Sequence, residues 1–367
     1  MIRVLQVLGG LNRGGAETMV MNLYRALDHK EIQFDFIIHS YTQNDYREEI
    51  ENLGGRIFVF PTFKAYNAIQ YRNKWNRFLN EHTEYKIVHS HVRSYASVFF
   101  PIAQKHGLKT IVHSHSTSNG SGIKSQIKNL LQKPLAKQSD YLFACSGISG
   151  KWLYGEKGVK QDNYYLVKNS IDVEKYRFDL NIRKCYRRDL AIENKIVFGH
   201  VGRLSEPKNH RFLLEVFREI VRKENNAVLI IVGDGELKEI IQNQIEELCL
   251  QDNVYMLGSR NDVAEILQTV DVFLFPSLWE GLPVTVVEAQ AAGLPCIISD
   301  TITEEVKLSP NVIYLPINKG TKIWTENALK MINSRYPESA DLVVSAGFDV
   351  QTTAKWLTDF YRGLINE

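Results

Sequence analysis

Two carboxylates, Glu280 and Glu288, stand eight positions apart in the stretch FPSLWEGLPVTVVEAQAAGLPCI, around a Gly281-Leu282-Pro283 corner. Ionised carboxylates only accept hydrogen bonds, so two of them beside exposed amides suit a ligand that carries several hydroxyls and a phosphate. Upstream, HVGRLSEPKNH sets Arg203 and Lys208 five positions apart in a loop opened by Gly202. Two cations at one strand end suit a diphosphate. A charge-assisted hydrogen bond contributes about 1.5–3 kcal/mol, against about 0.3–1 kcal/mol for an exposed helix terminus. Arg203 and Lys208 would therefore dominate the grip. The plainer alternatives are surface cations balanced by Glu206, and a Glu288 that pairs with a lysine on a solvated helix face.

Histidines form a third group. IVHSH and TIVHSHS place His89 with His91 and His113 with His115, and strand alternation sets each pair on one face. Four imidazoles invite zinc, but a ligand cleft explains them without metal. Glycine turns complete the set. GGLNRGG carries Gly14 and Gly15 just before a helix, where backbone can approach a phosphate closely. Its spacing is not the G-x-G-x-x-G of dinucleotide folds, which removes the main support for a nicotinamide site. VGDGE, with Gly233, and LGSRNDV, with Gly258, Ser259 and Arg260, repeat the design and can shape a pocket for a base.

The elements that must position these residues are legible from periodicity. Short apolar runs (IRVLQVL, FDFIIHS, RIFVF, IVHSH, TIVHSHS) alternate with helical patterns, the first from about Ala16 to Leu27. The alternation restarts after KNSIDVEKY with IVFGHVG, AVLIIVGDG, VYMLGS, DVFLFPS, PCIISD and VIYLP. Each half reads as a parallel sheet covered by helices, with a linker near Asn169 to Tyr176. Ligands of such sheets bind at the carboxyl ends of the strands. In the carboxylate stretch, DVFLFP is the strand and SLWEG the loop. Pro283 sits where a helix start tolerates a missing N–H, and VTVVEAQAA is the helix, stopped by Gly293.

Bulk properties agree. A chain of 367 residues suits two domains of roughly 170 to 190 residues each. With 44% hydrophobic and 23% charged residues, and no apolar run near the ~20 a membrane span needs, it reads as a soluble globular protein. Four scattered cysteines without C-x-x-C fit a reduced cytoplasm. The net charge of +2 hides an asymmetry: up to Ser170 there are 22 Lys+Arg against 13 Asp+Glu, and beyond it 22 against 29. A basic first half can attract an anionic surface or substrate.

Taken together and in order, PSLWEGLPVTVVEAQAAGLP, GRLSEPKN, VGDGE, GGLNRGGAE and KNSID resemble the family 4 retaining glycosyltransferases of the GT-B type, over nearly the whole chain. The resemblance implies an α/β fold of two Rossmann-like, doubly wound parallel-sheet domains facing across a cleft. Residues 1–170 would bind the acceptor and 171–350 the nucleotide sugar, with a C-terminal helix at about 351–367 packed back on the first domain. By position, Arg203 and Lys208 would neutralise the donor diphosphate, Glu288 would accept from the ribose, and Glu280 would hold sugar hydroxyls. Gly281, Leu282 and Pro283 would meet the sugar and phosphate. Gly15, beside Gly14, would approach the diphosphate from the other lobe, and Gly258 to Arg260 would border the base. The family's histidine matches His113 or His115, with His115 preferred because the next residue opens a loop. The expected reaction moves a hexose or N-acetylhexosamine from a nucleoside diphosphate, UDP foremost, to a saccharide or lipid-linked hydroxyl. It keeps the anomeric configuration and uses no metal and no cofactor; the D-x-D sequence is absent, in agreement. Neither nucleic acid nor a transmembrane anchor is implied. The alternatives are a sugar-nucleotide epimerase of the same fold and a non-catalytic nucleotide-sugar-binding partner.

Ser170 departs from the glycine usual in KNSID, and the loops after His91 and Ser116 follow no pattern that identifies an acceptor. Between Lys105 and Lys137 there are six lysines and no acidic residue. Lys124, Lys128, Lys133 and Lys137 recur at helical spacing beside Ile127, Leu130, Leu131 and Leu135, with Pro134 kinking or ending the helix. That surface could dock on an anionic membrane leaflet, which would make the protein cytoplasmic and peripheral; the alternative is an amphipathic helix packed on its own sheet.

Overall fold

The computed structural model describes residues 1–12, 14–40, 46–116 and 122–366, without the side chains of 123 and 124. It divides into two compact units. One comprises Met1–Ser170 and the chain from Val350 onward, the other Ile171–Asp349.

Seven parallel strands build the first unit: β1 (Ile2–Leu8), β2 (Ile32–Ile38), β3 (Ile57–Val59), β4 (Ile87–Ser90), β5 (Lys109–Ser114), β6 (Tyr141–Ala144) and β7 (Tyr164–Leu166). Their order is β3-β2-β1-β4-β5-β6-β7. Every residue of β2 is buried, the signature of a strand covered on both faces. Two strands go beyond the sequence reading, because YLFA and YYL are too short to show a period. One face packs under the helix Gly15–Ala26 and the C-terminal helix Val350–Asn366, which buries Ala354, Leu357, Tyr361 and Leu364 there. The other face lies under Ala68–Glu81 and Ala96–Lys105.

The second unit has six parallel strands: β8 (Ile196–Val201), β9 (Ala227–Val232), β10 (Val254–Gly258), β11 (Val272–Phe275), β12 (Cys296–Ser299) and β13 (Val312–Leu315), in the order β10-β9-β8-β11-β12-β13. Ile171 bridges to Asp349, so this unit is closed where the chain enters and leaves it. Both sheets reverse direction of winding at a central strand, β1 beside β4 and β8 beside β11. Doubly wound folds hold their ligands at such switch points. The histidines at the end of β4 and the cations after β8 lie at carboxyl ends flanking one, and those of β5 lie one strand further along.

Ser170 has no positive φ, so glycine is not required there. Its hydroxyl bonds Thr353 Oγ1 at 3.0 Å, tying it to the C-terminal helix. The four cysteines are free thiols, and no helix among the described residues is long and apolar enough to cross a membrane.

Candidate active site

In the second unit the loops after β8, β9 and β10 are zipped together by their own backbone. Gly202 N donates to Val232 O, Leu204 N to Asp234 O, and Gly233 N to Gly258 O, at 2.8 to 3.0 Å. This closeness is why VGDGE needs its glycines. Gly233 has φ +140°, and a Cβ on it would lie 2.0 Å from Gly202 O; one on Gly235 would lie 2.4 Å from Leu204 O. The loop after β11 joins the group through Leu278 N to Pro207 O at 2.7 Å and Asn209 Nδ2 to Pro276 O at 3.1 Å. Asn209 turns the chain in the left-handed region, ending the short Glu206–Lys208 turn and starting the helix His210–Lys223.

On this scaffold Lys208 Nζ donates to Glu280 Oε1 at 2.6 Å, and the ammonium stands 4.7 Å over the Phe275 ring. Both side chains are only 16% exposed. Gly202 leaves room for the lysine stem, since a Cβ there would be 3.1 Å from Lys208 Cε. Arg203 is different: its guanidinium is 72% exposed and pairs with Glu236 at 3.0 Å. The carboxylates that meet the two cations are thus Glu236 and Glu280; Glu206, the neighbour in sequence, is exposed. Gly281 is open, with no atom within 4 Å of a Cβ built on it; Leu282 packs toward the core and Pro283 caps the helix Val284–Ala291.

Glu288 lies in the second turn of that helix and accepts from the Tyr176 hydroxyl at 2.8 Å. It is not on a solvated face. Burial pushes its carboxyl above the ordinary range, offset in part by the Tyr176 hydrogen bond and the Lys175 charge. Thr285 Oγ1 and Ser277 Oγ are buried near the two ends of this segment without hydrogen-bond partners among the described residues. Ser259 and Arg260 are exposed after β10, with Arg260 Nε on Asp262 at 2.7 Å.

In the first unit the four histidines form one stack. His113 and His115 have ring centroids 4.2 Å apart, and His89 and His91 4.5 Å. His113 is wholly buried, while His115, just past β5, is partly exposed. Burial lowers all four pKa values, that of His115 to about 3, where the Arg93 charge lowers it further and Asn169 acts against both. All are neutral at pH 7. Nitrogens of His89, His91 and His113 lie within 4.8 Å of one another, but these rings stack at interplanar angles of 13° to 36°. Stacked rings direct their in-plane lone pairs side by side, whereas tetrahedral zinc needs them to converge at about 2.0–2.1 Å.

Gly14 caps the helix Gly15–Ala26 with extended backbone and no side chain, and a Cβ on Gly15 would meet nothing within 4 Å. The first turn carries its own carboxyl, Glu17, whose pKa burial raises. Arg13 of the same loop lies outside the described residues. Sequence reasoning missed Tyr176, Glu236, Gln6 and Tyr361. Only Gln6 carried a signal, a polar side chain in the middle of the apolar run IRVLQVL.

Residues 183–309 match the model for glycosyl transferases group 1, and residues 13–175 that for glycosyltransferase family 4. The chain is 34% identical over 371 residues to EpsF of Bacillus subtilis, a protein named as a glycosyltransferase, covering 98% of this chain and 96% of that one. It is 33% identical over 228 residues, 59% of this chain and 58% of the other, to the UDP-Gal:alpha-D-GlcNAc-diphosphoundecaprenol alpha-1,3-galactosyltransferase of Escherichia coli. Among solved structures, Anabaena HepE in complex with UDP superposes with a TM-score of 0.78 at 18% identity, over 99% of this chain and 100% of that one. HepE has also been solved with UDP-glucose.

Proposed function

The chain belongs to the family 4 glycosyltransferases of the GT-B fold, and from that membership we propose that it transfers a sugar from a UDP-linked donor, with retention of anomeric configuration, to a hydroxyl of a saccharide or lipid-linked acceptor in polysaccharide or glycolipid assembly. The observation that carries this reading is the pairing of Lys208 with Glu280 across two loops at the switch point of the second sheet, which sets a cation and a carboxylate side by side. The names of the galactosyltransferase and HepE support UDP as carrier, and the former supports a diphosphate-lipid acceptor.

In this mechanism Arg203 and Lys208 neutralise the donor diphosphate, Glu280 holds sugar hydroxyls, and Glu288 accepts from the ribose. The bond from the anomeric carbon to phosphate breaks with its electron pair going to the phosphate oxygen. The acceptor hydroxyl bonds the same face of that carbon and gives its proton to the departing phosphate. Charge on the phosphate is stabilised by the two cations and by amides near Gly281 and Leu282, so neither a metal nor a nucleophilic carboxylate is required. The second unit is assigned to the donor and the first to the acceptor, with His115 the reacting-site histidine.

We also place the first unit on an anionic membrane surface. The basic segment is two helices, Ile123–Gln132 and Leu135–Gln138, broken at Lys133 and Pro134, so the lysine spacing does not run along one helix. Lys128, Lys133 and Lys137 are exposed, and Leu135 is buried in the core. Ile127 and Leu130, at 53% and 65% exposed, remain outside, and Leu130 shares a groove with Ala68 and Arg72 next to the exposed Tyr66 and Ile69. Exposed apolar groups in a segment that also exposes lysines suit reversible docking on a bilayer interface. Release of UDP from a panel of UDP-sugars, with and without undecaprenyl-diphosphate saccharides, tests the functional reading; no release from any donor would overturn it.

A further inference from the structure

Gln6 is 1% exposed in the middle of β1, where an amide costs stability unless its hydrogen bonds are made. They are made in an ordered chain. Gln6 Oε1 lies 2.9 Å from His91 Nε2, and His91 Nδ1 lies 2.7 Å from His115 Nε2. On its other side Gln6 Nε2 donates to the Tyr361 hydroxyl at 3.4 Å, and that hydroxyl lies 2.8 Å from His89 Nδ1.

We propose that Gln6 and His91 are positioning residues that fix the tautomer of His115, with its Nε2 protonated and its Nδ1 held as a bare acceptor. An amide oxygen can only accept, so His91 must carry its proton on Nε2. Its Nδ1 is then a lone pair, which a neutral His115 can meet only by donating from Nε2. Tyr361, on the C-terminal helix, fits this orientation: it accepts from Gln6 Nε2 and can donate to His89 Nδ1. What remains is His115 Nδ1, buried and without a hydrogen-bond partner among the described residues. Leaving a buried acceptor unpaired is unfavourable. A ligand hydroxyl that donates to Nδ1 relieves that cost, and the opposite tautomer would repel such a donor.

The assignment of that hydroxyl to a sugar rests on the glycosyltransferase reading; the tautomer does not. The test is long-range 1H–15N NMR on the full chain labelled with 15N-histidine, with His115→Gln identifying the signals. In the wild type His115 should show an unprotonated Nδ1 and a protonated Nε2. Gln6→Met, close in volume, should mix the two tautomers and lower kcat about tenfold, the worth of one hydrogen bond, with KM little changed. A protonated Nδ1 in the wild type, or an unchanged spectrum in Gln6→Met, would overturn the proposal. Absence of sugar transfer in a wild type with the expected tautomer would instead count against the functional reading alone.

Discussion

Lys208 and Glu280 hold each other at 2.6 Å, each 16% exposed, and so join the loop after β8 to the loop after β11. Neutralising the carboxylate leaves the ammonium without its counter-charge but in place to meet a phosphate oxygen. Glu280→Gln should therefore keep or tighten the affinity for free UDP while it weakens the intact donor, whose sugar loses an acceptor. Glu288→Gln should weaken both ligands. Calorimetric titration of the two variants with UDP and with a UDP-sugar separates the roles; equal losses for UDP in both would merge them.

Glu288 also predicts a pH dependence. Burial raises its folded pKa above the unfolded value, so the folded state binds this proton more tightly than the unfolded chain does. The stability that binding contributes is fully present below the ordinary carboxylate range, about 4.3, and is lost as pH rises through the raised value. Glu288→Gln, which removes the charge but can still accept from Tyr176, should have a higher Tm than the wild type at pH 7. The gap should close at pH 4. A lower Tm at pH 7 would contradict the burial of a costly charge.

Two glycines in the second unit should behave in opposite ways. Gly233→Ala places a Cβ 2.0 Å from Gly202 O at φ +140°, and should destabilise by about 3 kcal/mol in chemical denaturation. Gly281→Ala meets no atom within 4 Å, so its stability should stay within about 0.5 kcal/mol of the wild type while donor turnover falls. Equal stability losses would mean that Gly281 serves the fold rather than the ligand.

How much of this was legible in the sequence follows from the range of the interactions involved. The strands IRVLQVL and AVLIIVGDG, the helix at Pro283 and the glycine turns are local patterns, and they fall where periodicity and turn chemistry set them. Glu280 and Glu288 could be found because eight residues keep both on one strand-loop-helix unit. Their partners could not. Tyr176 is 112 positions from Glu288 and Lys208 is 72 from Glu280, and no spacing rule reports contacts made by sheet order. The Glu206 alternative for the cations failed for the same reason: sequence proximity favoured it, while loop packing supplied Glu236 and Glu280. The lysine periodicity from Lys124 to Lys137 was real, but Pro134 divides it between two helices.

That lysine segment gives a separate prediction. The protein should sediment with anionic vesicles at low salt, less so at ~0.15 M salt, and not with neutral ones. Changing Lys124, Lys128, Lys133 and Lys137 to glutamine should remove most of the binding. Equal retention by neutral vesicles, or no effect of the four changes, would show that the segment is no membrane contact and favour a soluble acceptor.

The central claim is transfer with retention by a cation-stabilised phosphate leaving group. The most direct measurement is NMR of the product formed from a UDP-α-sugar and a lipid-diphosphate saccharide, in the presence of EDTA, for the wild type and for Arg203→Ala and Lys208→Ala. The account predicts an α-linked product, undiminished by EDTA, and turnover lower by about 10² to 10³ in each variant. A β-linked product, loss of transfer in EDTA, or less than a threefold loss in either variant would contradict it.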